Sequence, residues 1–149
     1  KTNDSGFQDT NWTYSWYNST GINDGGRPGS SQTKNEGNTC FGGINCNTEN
    51  YVENFESMVG SLCGYRKWRL PTITELQTLR DFSKNYYDTN SISDERFFPN
   101  VGATWSSTSA APNGTALTNH AWASHYAYGY SIYKIDKSAG VSIMLVAEE

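Results

Sequence analysis

The chain has 149 residues, enough for one compact domain spanning 1–149 with a core of its own, yet only 36% of it is hydrophobic. Five Trp, 10 Tyr and 6 Phe carry the apolar load among Gly, Asn, Ser and Thr, a mixture suited to long ordered loops and to the display of a surface. A net charge of −4 without a basic stripe excludes nucleic acid as a partner and speaks against sulfated polysaccharides, and no apolar run is long enough for membrane insertion.

The polar, loop-like start carries no signal peptide and reads as that of a mature or excised piece of a longer protein. The first hydrophobic island, Trp12-Thr13-Tyr14-Ser15-Trp16-Tyr17, alternates aromatic and small polar residues as a half-buried strand does. Asn23-Asp24-Gly25-Gly26 and Pro28-Gly29 are turn formers. Cys40, Cys46 and Cys63 suggest one disulfide and one free thiol in an oxidising compartment. A Cys46–Cys63 bond needs the chain to double back, whereas Cys40–Cys46 closes a short Gly-rich loop more easily and is preferred. No second ligand pair stands at zinc-binding spacing.

Residues 50–62 predict a helix. Tyr51, Val52, Phe55, Met58, Val59 and Leu62 form one apolar stripe, Asn50 and Glu53 make a capping box, and Gly64 ends the segment. A tight turn follows. Thr72-x-x-Glu75 is a second capping box, opening a helix that buries Ile73, Leu76, Leu79 and Phe82. Trp68 and Arg69, just ahead of it, read as a structural corner with Arg69 paired to a carboxylate or buried carbonyls. Beyond Asp81 come polar loops, then strands at Ala103–Thr108 and His120–Ala127, with Tyr130–Ile135 and Val141–Val146 completing a terminal antiparallel ladder. Two helices followed by late strands suit the α+β class.

The run Cys63-Gly64-Tyr65-Arg66-Lys67-Trp68-Arg69-Leu70-Pro71-Thr72-Ile73-Thr74-Glu75-Leu76 resembles the CGYxDWRLPTxxEL signature of the bacterial Lcl C-terminal family. Ala103-Thr104-Trp105-Ser106-Ser107-Thr108 is similar to its YWSST strand, with Thr104 in place of an aromatic, and His120–Ala127 to its AWxVxF strand. Two departures stand out. The upstream Gly-Leu-x-Trp strand is absent, leaving a sheet edge open or filled by another segment, and the last strand lacks the charges of VRLVR. The resemblance implies a C-type-lectin-like fold, related to formylglycine-generating enzymes, with two helices packed on a twisted, mostly antiparallel sheet. It also implies that Trp105, Trp122 and Tyr126 fill core positions and that Trp68, Arg69 and Glu75 are structural.

Catalysis is not expected. No Gly-x-Ser-x-Gly elbow, phosphate loop or His-Glu-x-x-His occurs. His120 and His125 stand five apart, on opposite faces of a strand. The superfold's oxidative enzymes need a late cysteine pair, and here every cysteine lies before residue 64. No cofactor is expected; a structural Ca²⁺ held by Asp4, Asp9, Asp24, Asp88, Asp94 or Glu95 is the lesser reading beside solvated loop acids. The sequons at Asn11, Asn18 and Asn113 reflect Asn, Ser and Thr richness.

The candidate ligand-binding residues are Asn113, His120, His125, Tyr128, Tyr130 and Tyr133. Tyr offers rigid contact area at low entropic cost, and the 110–115 loop can shape a rim. For His125, Tyr128, Tyr130 and Tyr133 the core and surface readings both stay open. Within the resembled superfold, late loops build ligand surfaces, some members are diversified there, and others tip trimeric adhesins or join pili. The reading is thus a secreted or cell-surface recognition domain for a glycan or surface protein, as a possible homo-oligomer. The alternative is a structural subunit of a filament or trimer that assembles through exposed aromatics and an open sheet edge.

Overall fold

A computed structural model describes residues 6–32, 39–79, 102–111, 119–125 and 132–148. Helix α1 spans Thr48–Val59 and is capped by Asn47, not by Asn50. The Asn47 side chain accepts the Asn50 N–H at 2.9 Å, so Asn50 belongs to the first turn. Tertiary bonds decide between the two asparagines. The Thr48 N–H donates to the Ser15 carbonyl at 2.9 Å, and the Thr48 hydroxyl bonds both the N–H and the carbonyl of Tyr17 at 3.0 and 3.1 Å.

The helix ends earlier than expected, at Gly60, whose φ of 74° and N–H to Glu56 carbonyl bond close the last turn. The apolar stripe is therefore cut short. Tyr51 and Phe55 are buried and Val59 packs against them in part, but Met58 and Leu62 remain 48% and 39% exposed. Gly64 serves a different turn. Cys63 and Gly64, with φ of 53° and 84°, form the two-residue tip of a hairpin in which Leu62 and Tyr65 exchange both backbone hydrogen bonds.

The second capping box falls where the sequence predicts it. Thr72 accepts the Glu75 N–H at 3.2 Å while Glu75 accepts the Thr72 N–H at 2.7 Å, opening helix α2 over Ile73–Thr78. Leu76 is fully buried, with Ile73, Leu79 and Met144 around it. Phe82 and Tyr126 lie outside the described residues.

Between the helices, β1 (Trp68–Arg69) pairs antiparallel with β5 (Val146–Ala147). A second antiparallel sheet has the order β2 (Ala103–Ser109), β3 (His120–His125), β4 (Tyr133–Asp136), with a register shift in β2 between Trp105 and Ser109. The expected terminal ladder does not form. Val141 bridges Tyr14, Ser142 runs parallel to Thr104, and Val146 closes on Arg69. Burial drives the detour, since Val141 and Ile143 both enter the core. Helix α1 packs on β1, and α2 packs on β2 and β3. The architecture is α+β with two helices and antiparallel sheets.

The early aromatic island is no half-buried strand. Tyr14, Ser15 and Trp16 are consecutively buried and bridge to separate parts of the chain: Tyr14 to Val141, Ser15 to Asn47, and the next residue, Tyr17, to Gly29. Aromatic burial dominates this core. Phe7 stacks on Tyr51 at 4.6 Å, and Tyr14 and Phe55 lean on the same ring. Each fully buried aromatic removes ~150–250 Å² from water, worth on the order of 4 kcal/mol, against about 1 kcal/mol for a ring–ring contact. Burial, not stacking geometry, therefore holds the cluster together. It also raises the Tyr14 phenol to about 12. Cys40 and Cys46 form the preferred disulfide, both fully buried with Cα atoms 5.5 Å apart.

Candidate functional site

At the Trp68–Arg69 corner Arg69 pairs with a carboxylate and a carbonyl. The Arg69 guanidinium grips Glu75 through two bonds of 2.8 and 2.7 Å, donates to the Leu70 carbonyl at 3.1 Å and stands 3.8 Å from Glu148. One side chain thus ties β1, the α2 cap and the end of β5. That guanidinium, helped by the Thr72 N–H, holds the Glu75 carboxyl down at about 2. Arg66 makes a looser pair with Glu56 at 3.4 Å. Trp68 packs 5.3 Å from Phe55, and its buried indole N–H has no hydrogen-bond partner.

Of the late residues, strand pairing sorts the described ones onto two faces. Ala121, Ala123, His125, Tyr133 and Ile135 share the inner face with Trp105. There Trp105 is fully buried, and its N–H donates to the Tyr14 carbonyl at 2.7 Å. His125 and Tyr133 sit at the open end of this face, both half-buried, with ring centroids 6.1 Å apart. Burial lowers the His125 imidazole pKa and raises that of the Tyr133 phenol.

His120, Trp122, Lys134 and Asp136 occupy the outer face. Trp122 is thus displaced from its expected core position. It lies half-buried opposite Lys134, whose ammonium sits 5.1 Å from the indole centroid. His120 is exposed and stands opposite Asp136 in the register. The Asp136 Oδ1 accepts from the Ser138 N–H, the Ser138 hydroxyl and the Asn119 amide at 2.9, 2.6 and 3.1 Å. Those bonds, the Ser138 hydroxyl first, lower the Asp136 pKa.

Among the described candidate ligand residues, His120 lies on one face of the sheet and His125 and Tyr133 on the other. His120 looks outward, His125 and Tyr133 line the inner end, and Asn113, Tyr128 and Tyr130 lie outside the described residues. Sequence reading missed Lys134 and Asp136, although their i, i+2 spacing would have aligned them with Trp122 once the register was known. It also missed Lys137, for which no local signal exists. The side chain is fully buried, its ammonium donates to the Asp24 and Arg27 carbonyls at 2.6 Å each, and it lies 4.2 Å from the Trp16 ring centroid. Gly29 closes over the same spot, where a Cβ would collide with the Trp16 carbonyl oxygen.

The loop acids act locally. Asp9 caps the Asn11 N–H and Asp24 the Gly26 N–H at 2.7 and 2.8 Å, and among the described residues no three His, Cys, Asp or Glu side chains converge as a metal site. Asp4, Asp88, Asp94 and Glu95 lie outside those residues. No described helix is long and apolar enough to cross a membrane.

These observations define an aromatic-cored α+β domain with a capped Trp-Arg corner and a late three-stranded sheet. The chain belongs to the Lcl C-terminal domain family, whose sequence model matches residues 2–147. No curated protein and no solved structure matches it.

Proposed function

We propose that the chain is a non-catalytic recognition domain of C-type-lectin-like architecture, secreted or displayed at a cell surface, that holds a glycan or surface protein with its late strands. The observation that carries this reading is the division of labour within the late sheet. Trp105, Ala121 and Ala123 fasten it to a disulfide-tied core, while polar and aromatic side chains stay partly exposed at the end of the inner face and on the outer face of β3 and β4. Rigid backing with amphipathic side chains in front reduces the entropy lost on binding. Family membership is consistent with the reading, and the working unit is a single domain without a cofactor.

The test couples light scattering on the purified chain to a glycan-array and surface-protein screen. A monomer or trimer that binds defined ligands, and weakens at Tyr133→Ala, Tyr128→Ala or Tyr130→Ala, supports the proposal. Absence of any ligand sinks it.

A second reading, self-assembly into a filament or trimer, draws on Met58, Leu62 and Tyr65. These residues expose 48%, 39% and 43% of their surface within one short stretch of chain. Concentration-dependent polymers lost on Leu62→Ser would favour it.

A further inference from the structure

The five indoles are not equivalent. Those of Trp12, Trp16 and Trp105 donate their N–H groups to the carbonyls of Gly6, Ser106 and Tyr14 at 2.9, 2.8 and 2.7 Å. The Trp68 N–H is buried without a partner. Trp122 alone keeps an unpartnered N–H that is not buried, on a ring that is itself half-exposed.

Two further unused groups stand on the same face. The Lys134 ammonium makes no hydrogen bond and only hovers over the Trp122 ring. Asp136 spends all three of its hydrogen bonds on Oδ1, which orients the carboxylate and leaves Oδ2 unused. Residues 134 and 136 share a face by strand alternation, and they lie directly across β3 from Trp122 and His120. The result is an aromatic platform edged by a fixed acceptor, an exposed cationic donor and an indole donor.

We propose that this outer face of β3 and β4 binds the ring of an uncharged sugar, stacked on Trp122 and hydrogen-bonded through Asp136 and Lys134. The proposal rests on the recognition reading above and names its ligand class and its face. A pyranose has an axial C–H face that suits the negative face of an indole, and it carries hydroxyls that donate and accept at its rim. Asp136 Oδ2 accepts one hydroxyl hydrogen; Lys134 swings off the ring and donates to a hydroxyl oxygen. An exposed cation–π contact is weak enough for such an exchange. The face balances one cation against one anion, so it offers no net charge to favour a charged ligand. A charged ligand would gain one of these groups and be repelled by the other, whereas a neutral ring uses both as hydrogen-bond partners.

The experiment is an NMR and tryptophan-fluorescence titration of the intact chain with methyl glycosides of galactose, glucose, mannose and N-acetylglucosamine. Methyl glucuronide and methyl glucosaminide serve as charged controls. At least one neutral glycoside should shift the Trp122 indole N–H resonance saturably. Affinity should fall about tenfold or more in Trp122→Ala and in Asp136→Asn, as for loss of a central aromatic or a charged hydrogen-bond partner. Asp136→Asn keeps the side chain's shape, so its result stands even if Trp122→Ala loses the fold. Ile22→Ser, at an exposed side chain outside the β3–β4 sheet, should bind as the parent does. Binding that persists in both variants, or that is confined to a charged control, overturns the proposal. Glycan binding that shifts His125 and Tyr133 but not Trp122 overturns the face while leaving the recognition reading intact. Failure of every neutral glycoside alongside a positive surface-protein screen overturns the sugar proposal alone.

Discussion

Two tryptophans in this domain each carry a lysine over the ring, and the two pairs differ in almost every other respect. Lys137 lies 4.2 Å from the Trp16 centroid with no solvent exposure, its ammonium bonded to two carbonyls and the indole bonded to a third. Lys134 lies 5.1 Å from Trp122 on the outer face, and neither its ammonium nor the indole N–H is bonded. A buried polar group left unpaired costs ~1–3 kcal/mol, so its full set of bonds stabilises the enclosed pair; the exposed pair can leave its donors to solvent. Completeness of hydrogen bonding, more than residue type, separates the enclosed Trp–Lys pair from the exposed one.

The strongest way to break this comparison is to remove both ammonium groups in turn. Lys137→Met keeps most of the volume but strands the Asp24 and Arg27 carbonyls, and should cost about 3 kcal/mol. For a chain of this length that is roughly a 10 °C fall in melting temperature, measurable by calorimetry. An equal loss in Lys134→Met would erase the distinction.

The anchored side of the comparison extends to the disulfide. Replacing Cys40 and Cys46 together by Ser should cost about 2 kcal/mol in denaturant unfolding, as expected for a short closed loop, because both sulfurs are buried in the same cluster. An unchanged unfolding free energy would separate that loop from the anchored core instead.

The Arg69–Glu75 corner lies between the two extremes, paired yet about 40% exposed. Its carboxyl is depressed from 4.5 to about 2 in the folded chain. A depressed folded pKa means the unfolded chain takes up the proton first. The contribution is therefore present above about 4.5 and lost as pH falls toward 2. Solvent screening limits it to about 1 kcal/mol. Stability curves of the parent and Glu75→Gln should converge across that window, and curves that stay parallel would refute the assignment.

The smallest effect is expected for Lys134→Met. Its unfolding free energy should match the parent's within about 0.5 kcal/mol, since the exposed cation–π contact is the only interaction lost. The same denaturant titrations check it.

How much of this was legible in the sequence depended on how local the decisive interactions are. The Thr72–Glu75 box was readable because both partners lie within one turn. The first cap was misplaced by three residues because Asn47 and Asn50 are equivalent locally, and the choice is made by Ser15 and Tyr17 some thirty residues away. The same limit explains Trp122. Alternation places it on one face of β3, but only register with Trp105 and Lys134 says which face is covered. The terminal strand was misassigned because its apolar residues fit a ladder equally well, while the core recruits Val141 and Ile143 to the early aromatic segment. Nothing within reach of Lys137 in the chain announces the carbonyls of Asp24 and Arg27, more than a hundred residues earlier.

The hairpin tip at Cys63 has a consequence for handling the protein. Cys40 and Cys46 are joined and enclosed, so Cys63 is the chain's one free thiol, exposed on a turn fixed by two backbone hydrogen bonds. Maleimide coupling there would attach a bead or a dye at a single defined point. Amine-reactive coupling would instead acylate Lys134 beside Trp122 while sparing the enclosed Lys137. Amine-immobilised protein would then have its outer face blocked, and thiol-immobilised protein would present that face intact.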